Sequence, residues 1–143
     1  MNNINIKDLL TLVNNYFPLA FYSIMDIDAY MPRAKLPDGN AAFEQIDLTI
    51  KNFSTGFTVD FNLLLIIAEQ FSDVKDLFIV INDFNNEVSP YSEDVCQKYI
   101  NNSSVQLVIE DLDLVELICK DKSLEEMIKH KLGEFPIRVT CDN

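Results

Sequence analysis

The residues of this chain most able to do chemistry are carboxylates, and they are concentrated between residues 83 and 116. This tract has eight acids against one base, Lys98, which gives a local charge of −7. The acids are Asp83, Glu87, Glu93, Asp94, Glu110, Asp111, Asp113 and Glu116. Clustered carboxylates can transfer protons, hold a metal ion or attract a basic partner. Their spacing and their neighbours decide among these uses.

One segment within the tract has the form of a catalytic motif. Val108-Ile109-Glu110-Asp111-Leu112-Asp113 resembles the strand and Asp-x-Asp that open haloacid-dehalogenase-type phosphotransferases, where the first Asp is the nucleophile. Such enzymes have a small residue after the second Asp, whereas Leu114 follows here, and only 30 residues remain for every other motif. We therefore interpret the segment as a solvated acidic turn.

Other carboxylates fit metal sites poorly. Asp60 with Asp73-Val74-Lys75 supplies the residue types of a metal-dependent nuclease, but we expect the second group at a helix end, not on a strand facing Asp60. The acids at 110, 111, 113 and 116 lack the alternating ligands and the glycine of a calcium loop. The sequence therefore predicts no metal and no cofactor.

A nucleophilic cysteine would need a base beside it. The single histidine, His130, lies between two lysines on an expected helix, where it faces solvent or the helix rim. The spacing gives no reason for it to meet Cys96, Cys119 or Cys141, and three widely spaced cysteines are typical of reduced thiols. We predict no catalytic residue and expect that the protein is not an enzyme.

Composition narrows the class of protein. The 143 residues carry 23 acids and 11 bases, a net charge of −12, with an isoelectric point near 4.3. Direct nucleic-acid binding is disfavoured, because phosphate neutralisation needs clustered Lys and Arg. No apolar run is long enough for a membrane span and the first residues lack the layout of a secretory signal, so we expect a cytoplasmic protein.

The stretch from Phe57 to Asn82 predicts the central unit of the fold. Phe57–Phe61 alternates as a half-buried strand does. Asn62 can cap a helix whose apolar residues lie on nearly all sides, so this helix should be largely buried. Leu77–Ile81 is uniformly apolar, as in a strand covered on both faces. A right-handed parallel crossover is the expected connection.

The segments before this unit predict a helix, an ambiguous element, a loop and a strand. Ile6–Phe17 has a helical apolar face. Leu19–Met31 fits a second helix, with a strand at Phe21–Met25 as the alternative. Residues 32–40 form a loop, and the alternation in Phe43–Phe53 predicts a strand that pairs with the Phe57 strand as a hairpin.

The segments after the unit predict a second crossover and a final strand. Ser89 can cap a helix that begins at Pro90, ends near Asn101 and buries Tyr91, Val95 and Tyr99. Strand 105–109 follows, and residues 112–119 fit a short helix or a strand. A capping box at 123–126 opens a helix that Gly133 closes, and 137–141 alternates as an edge strand.

Together these elements predict one compact α/β (or α+β) domain spanning residues 1–143. Its mixed sheet has about five strands, with the strand-helix-strand unit at 57–82 in the centre and helices flanking it.

The whole profile resembles the immunity proteins of bacterial toxin systems, including contact-dependent growth inhibition. The resemblance lies in a small, acidic α/β chain that has an acidic run at 83–116 and no catalytic motif. It implies a protein-binding inhibitor that neutralises a basic, nuclease-type toxin by stoichiometric occlusion. The eight acids of the tract are then the candidate partner-binding residues, since clustered carboxylates attract a Lys/Arg-rich surface.

Two alternatives stay open at this point. An acidic type III secretion chaperone is also small and α/β, and it is usually dimeric, so the oligomeric state would distinguish it from a monomeric inhibitor. A carboxylate-dependent phosphotransferase or nuclease would act through Asp111 and Asp113 or through Asp83. If the acidic tract has no function, it is a solvated surface without a partner.

Overall fold

Six strands form one mixed sheet in the computed structural model, which describes residues 6–30, 33–82, 90–110, 114–132 and 137–141. The strands are β1 (Phe21–Tyr30), β2 (Phe57–Val59), β3 (Ser72–Asn82), β4 (Val105–Glu110), β5 (Leu114–Cys119) and β6 (Ile137–Cys141). They lie in the order β2-β1-β3-β4-β5-β6. All neighbours are antiparallel except β5 and β6, which are parallel. The α/β fold class is confirmed, with six strands in the described residues where about five were predicted.

Five described helices accompany the sheet: α1 (Ile6–Tyr16), α2 (Ala42–Asn52), α3 (Phe61–Ala68), α4 (Glu93–Asn101) and α5 (Lys122–Leu132). Each has at most 11 residues, about 16 Å at 1.5 Å per residue. In the part of the chain that is described, no helix has the length and apolar character needed to cross a membrane.

The hydrophobic core lies on one face of the sheet, here called the core face. Along β3 and β4 the residues of the core cluster alternate, with Leu77, Ile79 and Ile81 beside Ile109, Leu107 and Val105. Helices α1, α2, α3 and α5 bury their apolar residues in the same cluster. Burying one such aliphatic side chain stabilises the fold by about 1.5–3 kcal/mol, so this face supplies most of the stability.

The opposite face of the sheet, the second face, is covered in part by α4. Ser23 points to this face, because it lies between the core residues Tyr22 and Ile24. Its Oγ lies 2.6 Å from the hydroxyl oxygen of Tyr99 in α4. Gln106 of β4 donates its Nε2 to the carbonyl of Ile100 at 3.2 Å. Two side-chain hydrogen bonds therefore join α4 to β1 and β4.

The prediction of a helix over Leu19–Met31 is wrong, since β1 occupies most of it. Tyr22, Ser23 and Ile24 are buried in succession, because β1 lies inside the sheet with α4 on one face and the core on the other. Burial on both faces conceals the period of two that identifies a half-exposed strand. The alternative strand at Phe21–Met25 was therefore the correct one.

The prediction of a strand at Phe43–Phe53, and of a hairpin with Phe57, is also wrong. These residues belong to α2, where Ala42 and Ile46 are buried one helical turn apart and Leu48 is 57% exposed. Lys51 and Asp47 form an i,i+4 ion pair of 2.7 Å. The helical spacing of the buried residues prevails over the apparent alternation.

The crossovers differ from the prediction. β2 and β3 are both antiparallel to β1 and hence parallel to each other, but β1 lies between them. Strands β3 and β4 pair directly and are antiparallel, so the expected second crossover unit is wrong. From a single sequence, the direction of a strand can be inferred only from its connections. Because β1 was predicted as a helix, its pairing with β2 and with β3 was not anticipated.

Several helix starts also differ from prediction. The Asp60 carboxylate, not Asn62, caps α3 by accepting from the Leu63 N–H at 2.8 Å. The N-cap of α4 is Ser92, while Pro90 forms an isolated bridge with Phe53. The Asp121 carboxylate accepts from the Ser123 N–H at 2.9 Å before α5, where Ser123 was expected to cap.

Burial along two helices is also lower than predicted. In α4 Tyr99 is buried, but Val95 is 44% exposed and Tyr91, just before the helix, is 50% exposed. In α3 Ile66 is 44% exposed, so that helix is only partly enclosed. Ser89 and Gly133, which were predicted at helix ends, lie outside the described residues.

Candidate functional site: an acidic face of the sheet

The predicted acidic tract divides into separate groups. Glu93 and Asp94 form the first turn of α4, which follows Ser92, and the Ser92 N–H donates to Ser54 Oγ before β2 at 2.6 Å. Glu110 ends β4 and Glu116 lies in β5. In the sheet β2 lies three strand positions from β4, about 14 Å. Asp83, Glu87, Asp111 and Asp113 lie outside the described residues.

Glu110 and Glu116 belong to an acidic surface that extends across the second face. One row of directly paired residues runs Asp26, Phe78, Val108, Glu116, Arg138 through five strands. In the adjacent row Asp28 pairs with Asp76, and continuing the β3–β4 register by one residue brings Asp76 opposite Glu110. We call Asp26, Asp28, Asp76, Glu110 and Glu116, with Phe78 and Val108 between them, the acidic face.

A β-bulge at Met25 places Asp26 on this face. Ile24 pairs with Ile79 and Asp26 with Phe78, so the β1–β3 register shifts by one residue between them. In a regular strand, side chains two residues apart point to the same face. Without the shift, Asp26 would therefore point into the core, as Ile24 does. A bulge changes the direction of a side chain in this way, and bulges are common beside functional sites. The local backbone therefore avoids burying a carboxylate and adds it to the acidic face.

A groove crosses the acidic face between β1 and β4. It has a volume of about 420 Å³ and is lined by Asp26, Asp76, Phe78, Val108 and Glu110, together with the core residues Leu77 and Ile109. Asp26 and Glu110 are exposed, while Phe78 and Val108 are half-buried. We call it the acidic groove: its floor is apolar and its rim carries carboxylates from three strands.

The charge of the acidic face is strongly one-sided. Of the charged residues that the strand registers assign to it, five are acids and one, Arg138, is a base. Arg138 Nε lies 3.8 Å from Glu116 Oε2, and its side chain is 73% exposed, so this ion pair contributes about 1 kcal/mol or less. Like charges in directly opposed positions, such as Asp28 and Asp76, destabilise a sheet. A cationic partner would relieve that repulsion.

Sequence reasoning missed Asp26, Asp28 and Asp76. The first two lie in the segment that was predicted as a helix, and the third precedes the apolar run that was taken as the whole of β3. One signal was present: in Asp26-Ile27-Asp28 the acids alternate with an apolar residue, as on a strand with one acidic face. The bulge that precedes Asp26 has no comparable sequence signature.

Cys96, Cys119 and His130, which were considered above as possible catalytic groups, lie in ordinary structural surroundings. Burial, and next the charge of Glu93, raise the pKa of the Cys96 thiol, which makes it a poor nucleophile. Cys119 is buried and donates to the Asp121 carbonyl at 3.5 Å, while His130 is exposed on α5, as predicted. In the described part of the chain, no three His, Cys, Asp or Glu side chains are placed to share a metal ion.

Comparison of the chain with models of protein families, with curated proteins and with solved structures found no match. The chemistry of the acidic face is therefore the basis for a functional conclusion.

Proposed function

We propose that the protein is a protein-binding inhibitor that neutralises a basic, nuclease-type bacterial toxin by stoichiometric occlusion. The observation that carries the proposal is the acidic face, which combines half-buried apolar residues with five carboxylates. Interfaces with a basic partner use this combination, since apolar contacts exclude water and the carboxylates steer the partner and fix its orientation.

The two parts of the proposal have different support. The acidic face supports a basic partner, because a surface with five acids and one base attracts cations and repels nucleic acid. The inhibitory role comes from the resemblance to immunity proteins, which are small acidic chains without catalytic motifs. Glu93, Asp94 and the acids outside the described residues remain candidates for an extension of the same interface.

The proposal predicts that a gene beside that of this chain encodes a basic toxin domain, and this domain is the partner for the test. Its nuclease activity, titrated with the purified chain, should fall linearly and reach zero at one chain per toxin. Activity that persists in excess of the chain, or a neighbouring gene without a basic domain, would contradict the proposal.

Light scattering on the free chain and on the mixture provides the second readout. The proposal predicts a free monomer and a one-to-one complex. A stable dimer of the free chain that holds an extended segment of its partner would instead favour the secretion-chaperone alternative.

A further inference from the structure

We propose that the acidic groove receives an arginine side chain of the basic partner, with its guanidinium between Asp26 and Glu110 and its methylene stem on Phe78 and Val108. This inference rests on the proposed function and specifies the chemistry by which the partner is recognised. Its basis is the lining of the groove, an apolar floor between carboxylates, which matches the apolar stem and charged head of one side chain.

The lining of the groove selects a long cationic side chain. Lys and Arg combine an apolar stem with a charged head, and they lay the stem on apolar surface while the head stays among polar groups. Here Phe78 and Val108 are half-buried on the floor, and Asp26 and Glu110 are exposed on opposite sides. A short cation or a metal ion would leave the apolar floor unused.

Two features favour arginine over lysine. Phe78 lies between Asp26 and Val108 in the same cross-strand row, and a planar guanidinium stacks on an aromatic ring better than a compact ammonium does. Asp26 and Glu110 belong to β1 and β4, with β3 between them, and they lie in adjacent cross-strand rows, so their backbones are about 12 Å apart. A forked guanidinium can bond to carboxylates in two directions, whereas an ammonium acts as a point charge.

The experiment titrates the ¹⁵N-labelled chain at low ionic strength with three blocked tripeptides that have arginine, lysine or citrulline between glycines. The arginine peptide should give saturable amide shifts at Asp26, Phe78, Val108 and Glu110. The lysine peptide should bind severalfold more weakly, and neutral citrulline should give no shifts.

Two variants locate the binding. Asp26→Asn with Glu110→Gln should weaken arginine binding at least tenfold, while Glu44→Gln with Glu126→Gln, which changes the charge equally on α2 and α5, should leave it unchanged. Phe78→Leu keeps the carboxylates and an apolar floor, so it should remove the preference for arginine over lysine and keep the attraction to both.

Equal shifts with arginine and lysine, shifts outside the groove, or binding that survives Asp26→Asn with Glu110→Gln would overturn the inference. A magnesium or calcium titration that gives saturable shifts at the same amides would also overturn it. Failure of the arginine inference can be distinguished from failure of the proposed function. If the unaltered chain inhibits the toxin but the peptides do not bind, only the arginine is wrong; if arginine binds the groove but the unaltered chain does not inhibit the toxin, the proposed function is wrong.

Discussion

At the scale of single residues, the acidic face depends on Gly56 as well as on its carboxylates. Gly56 has φ +67°, and a Cβ there would lie 2.5 Å from the Ile24 carbonyl oxygen and 2.8 Å from Met25 Sδ, at the bulge that directs Asp26. Gly39 also has a positive φ, +89°, but an added Cβ would meet no atom within 4 Å. Alanine substitutions at the two glycines therefore distinguish the effect of backbone strain alone from that of strain combined with a steric clash.

We predict that Gly56→Ala destabilises the protein much more than Gly39→Ala does. A left-handed backbone costs about 1–2 kcal/mol for an alanine, and only Gly56→Ala adds displacement of the bulge. Urea unfolding of both variants measures the difference. Equal losses of stability would mean that the bulge yields freely to a methyl group.

A second residue-scale prediction concerns Tyr16 and Asp121, which join the end of α1 to the start of α5. The Tyr16 hydroxyl donates to Asp121 Oδ2 at 2.5 Å, and this bond is the main cause of a lowered Asp121 pKa and a raised Tyr16 pKa. A lowered folded-state pKa gives stability that is present above the unfolded value of about 4 and is lost as the pH falls through the folded value.

Tyr16→Phe should therefore lower the melting temperature at pH 7, and the difference from the unaltered protein should shrink below about pH 4. Above about pH 10 it should shrink again, because the raised pKa of Tyr16 stabilises the fold only while the hydroxyl is protonated. Thermal unfolding followed from pH 3 to pH 11 tests whether the difference in melting temperature shrinks at both low and high pH. A difference that does not change with pH would show that only packing was lost.

The acidic face should also carry a cost in the free protein. Asp28 lies directly opposite Asp76, and like charges in such a pair destabilise the sheet by a few tenths to about 1 kcal/mol. We expect Asp28→Asn to raise the melting temperature at low salt, with a smaller gain at high salt because ions screen the repulsion. A variant that melts lower at low salt would indicate that Asp28 stabilises the fold through its charge.

At the scale of elements, the strand-helix-strand unit could be predicted, whereas β1 and α2, which precede it in the chain, could not. The period of β2 and the apolar run of β3 depend on local pattern, and β4, β6 and α1 were predicted for the same reason. β1 and α2 were predicted wrongly, because burial of Ser23 by α4 and exposure of Leu48 depend on distant parts of the chain. Tyr91 and Val95 were expected in the core for their helical spacing, but only Tyr99 is buried there.

Attachment of α4 gives an element-scale prediction. Ser54 is fully buried; its Oγ accepts from the Ser92 N–H at 2.6 Å and donates to the Pro90 carbonyl at 2.9 Å. Ser54→Ala removes the partner of these part-buried groups, at a cost of about 0.5–1.5 kcal/mol for each hydrogen bond lost. Amide hydrogen exchange should accelerate in 93–101 far more than in β3 and β4. Equal acceleration in α4 and in the central strands would mean that Ser54 supports the whole fold.

At the scale of the whole molecule, composition led us to expect a basic partner but did not locate the acidic face. A net charge of −12 and an acidic run at 83–116 indicated a basic partner. The acidic face instead combines Glu110 and Glu116 with three acids from β1 and β3, because antiparallel pairing aligns residues distant in sequence. Three of its five acids could be located only from the strand order.

The association rate with the proposed basic toxin domain, measured as a function of salt, tests most directly whether the acidic face is the interface. We predict that Asp26→Asn with Glu110→Gln slows association about tenfold at low salt and flattens the salt dependence, since charges at an interface act mainly on the encounter. Glu44→Gln with Glu126→Gln, an equal change of charge on the helices of the core face, should change the rate little. Equal rates for the two double variants would show that the acidic face is not the interface.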